Sequence, residues 1–92
     1  MADGKQKERT TVTIYGQEYT IVGYEKPGHV IEVAKYVDSK MREIKSMNPY
    51  LDTTRLAVLT AINVVNDYLK LKEKLERIEK ENKEKEDENG HA

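Results

Sequence analysis

The sequence predicts an α+β fold in which a small head, made of a β-hairpin and one helix, is followed by a long C-terminal coiled-coil helix. Three observations lead to this fold class. β-Branched and aromatic residues alternate with polar ones on both sides of Gly16. Apolar residues then recur at spacings of three and four after Pro27, and the chain from Tyr50 to Asn89 contains neither glycine nor proline. The first pattern is typical of strands and the other two are typical of helices.

The N-terminal part of the chain predicts a leader followed by a hairpin. Residues 1–10 are polar and lack periodicity, which predicts a disordered leader. Within residues 11–22, the strands at 11–15 and 18–22 flank a turn at Gly16-Gln17, because glycine accepts a positive φ without a Cβ penalty. An isolated hairpin is only marginally stable in water, so we expect its apolar face to pack on a helix or its edge to pair with another chain.

A first helix is predicted over residues 28–46. Pro27 suits the start of a helix, and Asn48-Pro49 ends it because the residue before proline disfavours helical dihedral angles. The predicted apolar stripe consists of Val30, Val33, Ala34, Val37, Met41 and Ile44. For the next helix, Asp52 or Thr53 is the expected N-cap, with Leu51 placed to act as a hydrophobic staple.

The long second helix changes character along its length. Residues 53–71 are apolar on nearly all sides after Leu56, so we assign them to a head that spans 11–71. Residues 72–87 keep only a narrow heptad seam and are predicted to be a coiled-coil extension, and 88–92 are predicted to be a disordered tail. The seam has Ala61, Tyr68, Leu75 and Asn82 at position a, and Val64, Leu71 and Ile78 at position d.

A helix with one apolar seam and a charged remainder cannot bury that seam alone, so it needs a partner helix. The chain is also short, at 92 residues, and has no cysteine, so it cannot gain stability from disulfides. We therefore predict an obligate oligomer. Its predicted interface consists of Leu59, Ala61, Ile62, Val64, Val65, Tyr68, Leu71, Leu75 and Ile78.

Composition argues against several classes of function. Sixteen basic and seventeen acidic residues give a net charge of −1, which is unsuited to binding nucleic acid through its phosphates. No apolar run is long enough for a membrane span, and no signal peptide is recognisable. The glycines are too dispersed for a phosphate-binding loop, and His29 and His91 are the only histidines. We expect no enzyme activity, cofactor, metal or small-molecule substrate, and a cytoplasmic location.

Two alternatives remain open at this level. The chain fits a small coiled-coil adaptor whose hairpin contacts another protein or a nucleic acid, although its net charge disfavours the nucleic acid. A hydrolase or ligand-binding domain that uses His29 is the other alternative; a first-turn helix residue is the simpler interpretation of that histidine.

Three blocks of the sequence, in this order, resemble the ZapA family of bacterial cell-division proteins, which associate with the tubulin-like GTPase FtsZ. They are the residues 12–19 (VTIYGQEY), 37–44 (VDSKMREI) and 56–63 (LAVLTAIN). Tyr50-Leu51-Asp52 and Tyr68-Leu69 look most like the versions found in Gram-positive bacilli. The resemblance covers about residues 10–85, nearly the whole of the chain that we expect to be ordered.

The resemblance implies a non-catalytic protein that binds FtsZ filaments, cross-links or aligns them, and promotes assembly of the Z-ring at midcell and septum formation. It also implies a homodimer formed through the head and the start of the long helix, and in many relatives a homotetramer formed through the coiled coil. The sequence leaves open which of these states this chain adopts, and whether the coil is parallel or antiparallel. Charged residues of the head are implied in FtsZ binding. The candidates are Glu18, Lys40, Arg42, Glu43, Lys45, Asn48 and Arg55.

Overall fold

The computed structural model describes residues 6–90, with side chains described as far as residue 85. Two strands, β1 (Glu8–Ile14) and β2 (Gln17–Gly23), are followed by two helices, α1 (Pro27–Met47) and α2 (Thr53–Gly90). The strands form an antiparallel hairpin. The predicted fold class and the order of its elements are therefore confirmed.

The hairpin turns one residue earlier than predicted. Ile14 pairs with Gln17, so Tyr15 and Gly16 form the turn, with φ angles of 50° and 80°. Two consecutive positive φ angles are typical of a type I′ turn, whose twist matches that of the flanking strands. Glycine adopts this conformation without strain, whereas Tyr15 is a residue type that rarely does so. Other contacts must therefore hold Tyr15 in place.

The start of β1 corrects the predicted boundary of the leader. Residues 8–10 belong to the strand and pair with residues 21–23, and Thr10 is buried. The prediction placed these residues in a disordered leader because their side chains are polar. A strand ladder is held by backbone hydrogen bonds, however, and the partner strand is long enough to continue it. Of the rest of the predicted leader, residues 6 and 7 are exposed and lie before the strand, and residues 1–5 lie outside the described residues.

Both helix starts follow the predicted capping chemistry. Pro27 is the first residue of α1, which agrees with the predicted helix to within one residue at each end. At the start of α2, the backbone N–H of Arg55 donates a hydrogen bond of 2.8 Å to Oδ1 of Asp52, which confirms Asp52 as the N-cap. Leu51 and Leu56 meet in the core on either side of this cap, as a hydrophobic staple requires.

The core is small and lies where α1 meets β1 and the first turns of α2. Met41, Ile44 and Leu56 form its centre, and Leu56 is completely inaccessible to solvent. Around them pack the partly buried side chains of Ile14, Tyr15, Val37, Leu51 and Leu59. The hairpin turn therefore contributes directly to the core.

The chain divides into two compact units, with the boundary after Thr60. The first unit holds the hairpin, α1 and the start of α2, whereas the second consists of the remainder of α2. The predicted head extended to residue 71 because residues 56–71 are largely apolar; none of the side chains at 61–71 is buried. Helix α2 continues to Gly90, past the predicted end of the coil at 87, so residues 88–90 are helical and not part of a tail. Residues 91 and 92 lie outside the described part.

Candidate protein-interaction surfaces

The second unit exposes apolar side chains from Ala61 to Ile78. None of the side chains from residue 61 to residue 85 is buried. Leu71 is 66% exposed, and Tyr68, Leu75 and Ile78 are also exposed. Exposed apolar surface that repeats along a helix is typical of a protein–protein interface. Of the predicted interface residues, Val64 is half-buried, Leu59 packs against the core of the first unit, and the others are exposed.

A second apolar stripe accompanies the heptad seam over part of the second unit. Ile62, Val65 and Leu69 recur at spacings of three and four and are all more than half exposed. With Ala61 and Asn66 they line a shallow concave surface. Beyond Leu69 only the seam remains apolar, so the start of this unit offers a wider contact surface than its distal part.

The first unit has an apolar groove on the inner face of its hairpin, which we call the β2 groove. Tyr19 and Ile21 lie opposite Val12 and Thr10 in the register, and so share their face of the sheet. Val12 and Thr10 are buried, whereas Tyr19 and Ile21 are 48% and 40% exposed. The resulting open groove of about 540 Å³ is also lined by Ile14, Tyr15, Gln17, Thr20, Val37, Met41, Thr53 and Ala57.

A cluster of three side chains, which we call the hairpin clamp, joins the hairpin turn to α1. The backbone N–H of Tyr15 donates a hydrogen bond of 2.7 Å to Oδ1 of Asp38. Nε of Arg42 donates to Oδ2 of the same carboxylate at 3.0 Å. The Arg42 guanidinium carbon also lies 5.3 Å from the centre of the Tyr15 ring, within cation–π distance. These contacts hold Tyr15 in its positive-φ conformation.

The hairpin clamp changes the proton affinity of both its charged groups. The hydrogen bond from Arg42 and then that from the Tyr15 backbone lower the pKa of Asp38 below its ordinary value, because both bonds favour the ionised carboxylate. The same hydrogen bond to Asp38 raises the pKa of Arg42. Both shifts favour the charged forms of Asp38 and Arg42, so the pair is ionised in the folded protein at neutral pH.

Two of the predicted partner-binding residues have structural roles in the connection between the helices. Nζ of Lys45 donates hydrogen bonds to the carbonyl oxygens of Pro49, at 2.8 Å, and Leu51, at 2.6 Å. Asn48 caps α1, with its backbone N–H and its side chain both donating to the carbonyl oxygen of Ile44. These contacts satisfy carbonyl groups that the helix end and the connection would otherwise leave without donors.

The remaining predicted residues lie on exposed parts of the first unit. Glu18 stands opposite Thr13 in the register, on the outer face of the hairpin. Lys40 and Glu43 form an ion pair of 3.4 Å on α1. Arg55 lies 3.7 Å from Asp52 at the start of α2, and its side chain is 78% exposed. The predicted set therefore does not form one continuous cluster of contacts.

Sequence reasoning missed the roles of Tyr15 and Asp38. The spacing of four between Asp38 and Arg42 on a predicted helix was a usable signal for their ion pair. The hydrogen bond from Tyr15 to Asp38 joins residues that are 23 positions apart, and no local pattern indicates it.

His29 lies in the first turn of α1, in agreement with the simpler interpretation of this residue. Among the residues that the structure describes, no three His, Cys, Asp or Glu side chains are grouped closely enough to hold a metal ion. In the same part of the chain, neither helix combines the length and the apolar character that crossing a membrane requires.

Comparison with known sequences gives a consistent result. Residues 10–89 match the family model described as "Cell division protein ZapA". The ZapA protein of Bacillus licheniformis is 64% identical over 85 residues, which cover 92% of this chain and 99% of the relative. The ZapA protein of Bacillus subtilis is 61% identical over an alignment with the same coverage of both chains.

Comparison with solved structures extends the likeness to the fold. A mutant ZapA from Geobacillus stearothermophilus, described as a dimer, has a TM-score of 0.71 and 47% identity, and the match covers 90% of this chain and 96% of that one. A conserved bacterial protein of unknown function from Pseudomonas aeruginosa has a TM-score of 0.67 and 32% identity, with coverages of 84% and 86%.

Proposed function

This chain belongs to the ZapA family of cell division proteins, and from that premise we propose that it binds FtsZ filaments and, as a homodimer or homotetramer, cross-links and stabilises them. In this way it promotes Z-ring assembly and septum formation. The observation that carries the proposal is the apolar surface of the second unit, which one chain leaves uncovered from residue 61 onward.

Self-association gives that surface a partner. The dimeric relative from Geobacillus stearothermophilus supports a second copy of the chain as the occupant. The start of the second unit has two apolar stripes and so a wider apolar surface than the distal part. We assign the dimer contact to this surface and to the head. The narrow seam at Leu71, Leu75 and Ile78 is suited to a coiled coil that holds a dimer or joins two dimers.

Charged residues of the first unit are the proposed contacts with FtsZ. Of the predicted candidates, Lys45 and Asn48 already have partners that explain their presence. Glu18, Arg42 and Arg55 lie on exposed surface with polar atoms available to a partner, and the half-buried Lys40 forms an ion pair with the exposed Glu43 on α1. Contacts of this kind are weakened by salt, because exposed charges are screened.

Oligomerisation converts a weak contact into an effective cross-link. When several FtsZ-binding heads belong to one assembly, binding of the first head raises the effective concentration of the others at the filament. Avidity therefore increases without additional contacts, and heads bound to different filaments hold those filaments together. No catalytic step is needed, and we propose that the protein is not an enzyme and acts in the cytoplasm at the midcell ring.

Co-sedimentation with FtsZ that has been assembled with GTP tests this function. We expect the protein to pellet with filaments at low salt and to be released as the salt concentration rises. The matched control is the same protein with unassembled FtsZ, in GDP, which should leave it in the supernatant. Absence of the protein from the filament pellet at every salt concentration would contradict the proposal.

A further inference from the structure

The guanidinium group of Arg42 is held from two directions by its own chain. Its Nε atom is bonded to Oδ2 of Asp38, and its plane lies near the ring of Tyr15. Asp38 is fixed in turn, because its other oxygen accepts the backbone N–H of Tyr15. These contacts favour one position of a long, flexible side chain before any partner arrives.

The outer edge of the same group is available for binding. The hydrogen bond to Asp38 uses Nε alone, and within the described part of the chain the two terminal amino groups have no acceptor. The Arg42 side chain is 61% exposed. The two terminal amino groups form a fork that matches the oxygens of a carboxylate, which they can bind through two parallel hydrogen bonds.

We propose that Arg42 binds a carboxylate group of FtsZ, and that Asp38 and Tyr15 are positioning residues that hold its guanidinium group ready. The inference rests on the proposed function and specifies one contact within it. Prior fixation reduces the conformational entropy that a free arginine would lose on binding. It also gives the side chain of Tyr15 a role at its positive-φ position in the hairpin turn, since the ring lies against the guanidinium group.

Arg55 provides a contrast within the same unit. Its distance of 3.7 Å from Asp52 is long for a hydrogen bond, and its side chain is 78% exposed. Among the described residues, Arg42 makes a cation–π contact with Tyr15, whereas Arg55 makes no such contact. Arg42 is therefore the better-ordered of the two arginines for recognition of a planar carboxylate.

The first experiment measures the affinity of full-length variants for GTP-assembled FtsZ by co-sedimentation at one salt concentration. Arg42→Ala removes the charge and the fork, whereas Arg42→Lys keeps the charge and removes the fork. We expect both variants to bind about tenfold more weakly than the wild type, the size of effect expected for one charge-assisted hydrogen-bonded contact. Arg9→Ala is the matched control, because it removes the same charge from an exposed position of β1 and should leave affinity unchanged.

The second experiment asks whether Asp38 acts through Arg42. Asp38→Asn keeps an oxygen that can accept the Tyr15 N–H but removes the charge that binds Nε. We expect this variant to weaken FtsZ binding in the wild-type background and to cause no further loss in the Arg42→Lys background. Such non-additivity in a double-mutant cycle is a signature of coupling that a general loss of stability does not produce. Circular dichroism of each variant checks that the head remains folded.

The possible results separate the inference from the function on which it rests. If the wild type binds filaments and Arg42→Lys binds equally well, recognition depends on charge alone and the inference is overturned. If Asp38→Asn weakens binding equally in both backgrounds, Asp38 does not position Arg42. If the wild type itself fails to bind, the proposed function fails, and the inference fails with it.

Discussion

The two units of this chain differ in whether they enclose any apolar side chains. Up to Thr60, a small core gathers residues from the hairpin, from α1 and from the start of α2, and Leu56 is completely enclosed. From Ala61 onward the same helix keeps an apolar repeat but buries none of its described side chains. One continuous helix thus contributes to an intramolecular core at its start and exposes an apolar repeat from Ala61 to Ile78.

This difference indicates which contacts stabilise each unit. The head has a core within one chain, so part of its stability comes from its own packing. The second unit is a single helix, and an isolated helix has little stability in water without tertiary contacts. Its order should therefore depend on a partner and on protein concentration. The predictions below test this contrast.

The largest effect is expected from charges placed in the seam. In Leu71→Asp/Ile78→Asp, each carboxylate would be buried without a counter-charge in a closed coil, at a cost of about 3 kcal/mol or more per site. We expect sedimentation velocity to report smaller assemblies than for the wild type, while the circular dichroism of the head is retained. Lys70→Asp/Arg77→Asp is the control, because both residues lie at position c of the heptad, away from the seam, and are exposed. An unchanged assembly size in the seam variant would show that the seam is not an interface.

Truncation of a buried leucine distinguishes the two units directly. Leu56→Ala leaves a cavity in the head core and should lower the free energy of unfolding by about 2–5 kcal/mol, by the same amount at each protein concentration. Leu75→Ala removes the same group from an exposed seam position, so its cost should appear as a lower stability that recovers as concentration rises. Denaturant unfolding at two protein concentrations measures both. Equal concentration dependence in the two variants would contradict the contrast.

Lys45→Ala tests a residue that the sequence nominated for partner binding and that the structure places in the connection between the helices. Loss of its bonds to the carbonyls of Pro49 and Leu51 should lower stability by about 1–3 kcal/mol. Lys35→Ala is a matched control, because it removes an exposed lysine from the same helix. A variant that keeps its stability but loses affinity for FtsZ would return Lys45 to the set of direct contacts.

The smallest effect concerns pH and the hairpin clamp. Because its folded pKa is lowered, ionised Asp38 stabilises the fold fully above its ordinary pKa of about 3.8, and this contribution is lost as the pH falls from there through the lowered value. The NMR shift of the Tyr15 amide should therefore change only below that ordinary value. Asp38→Asn should abolish the change. A midpoint above the ordinary value would mean that Arg42 does not hold the carboxylate in solution.

Most of the fold was predictable from local patterns. Gly16, Pro27, Asn48-Pro49 and Asp52 mark the turn and the helix ends through backbone chemistry that acts over a few residues. The strand at Glu8–Thr10 was missed because its polar side chains conceal a ladder whose partner lies in β2. Val33 belongs to the predicted apolar stripe of α1 but is 48% exposed. The spacing of apolar residues predicts which side of a helix faces the core, but not how much of that side the rest of the protein covers.

The candidate site was less predictable than the fold. The seam could be identified because a heptad is a local repeat that requires a partner. The hairpin clamp could not, because it depends on contacts between the turn and α1 that only the tertiary structure creates. The family resemblance placed Lys45 and Asn48 in the same candidate set as Arg42, although the first two satisfy carbonyl groups of their own chain.

The central claim is that association through α2 links FtsZ-binding heads into a cross-linker, and differential sedimentation tests it most directly. FtsZ assembled with GTP is centrifuged at high speed, which pellets single filaments, and at low speed, which pellets only bundles. Wild-type protein should appear in both pellets, and Leu71→Asp/Ile78→Asp should remain in the high-speed pellet while the low-speed pellet is lost. If the seam variant bundles filaments as well as the wild type does, the distal part of α2 is not the link and the account is wrong.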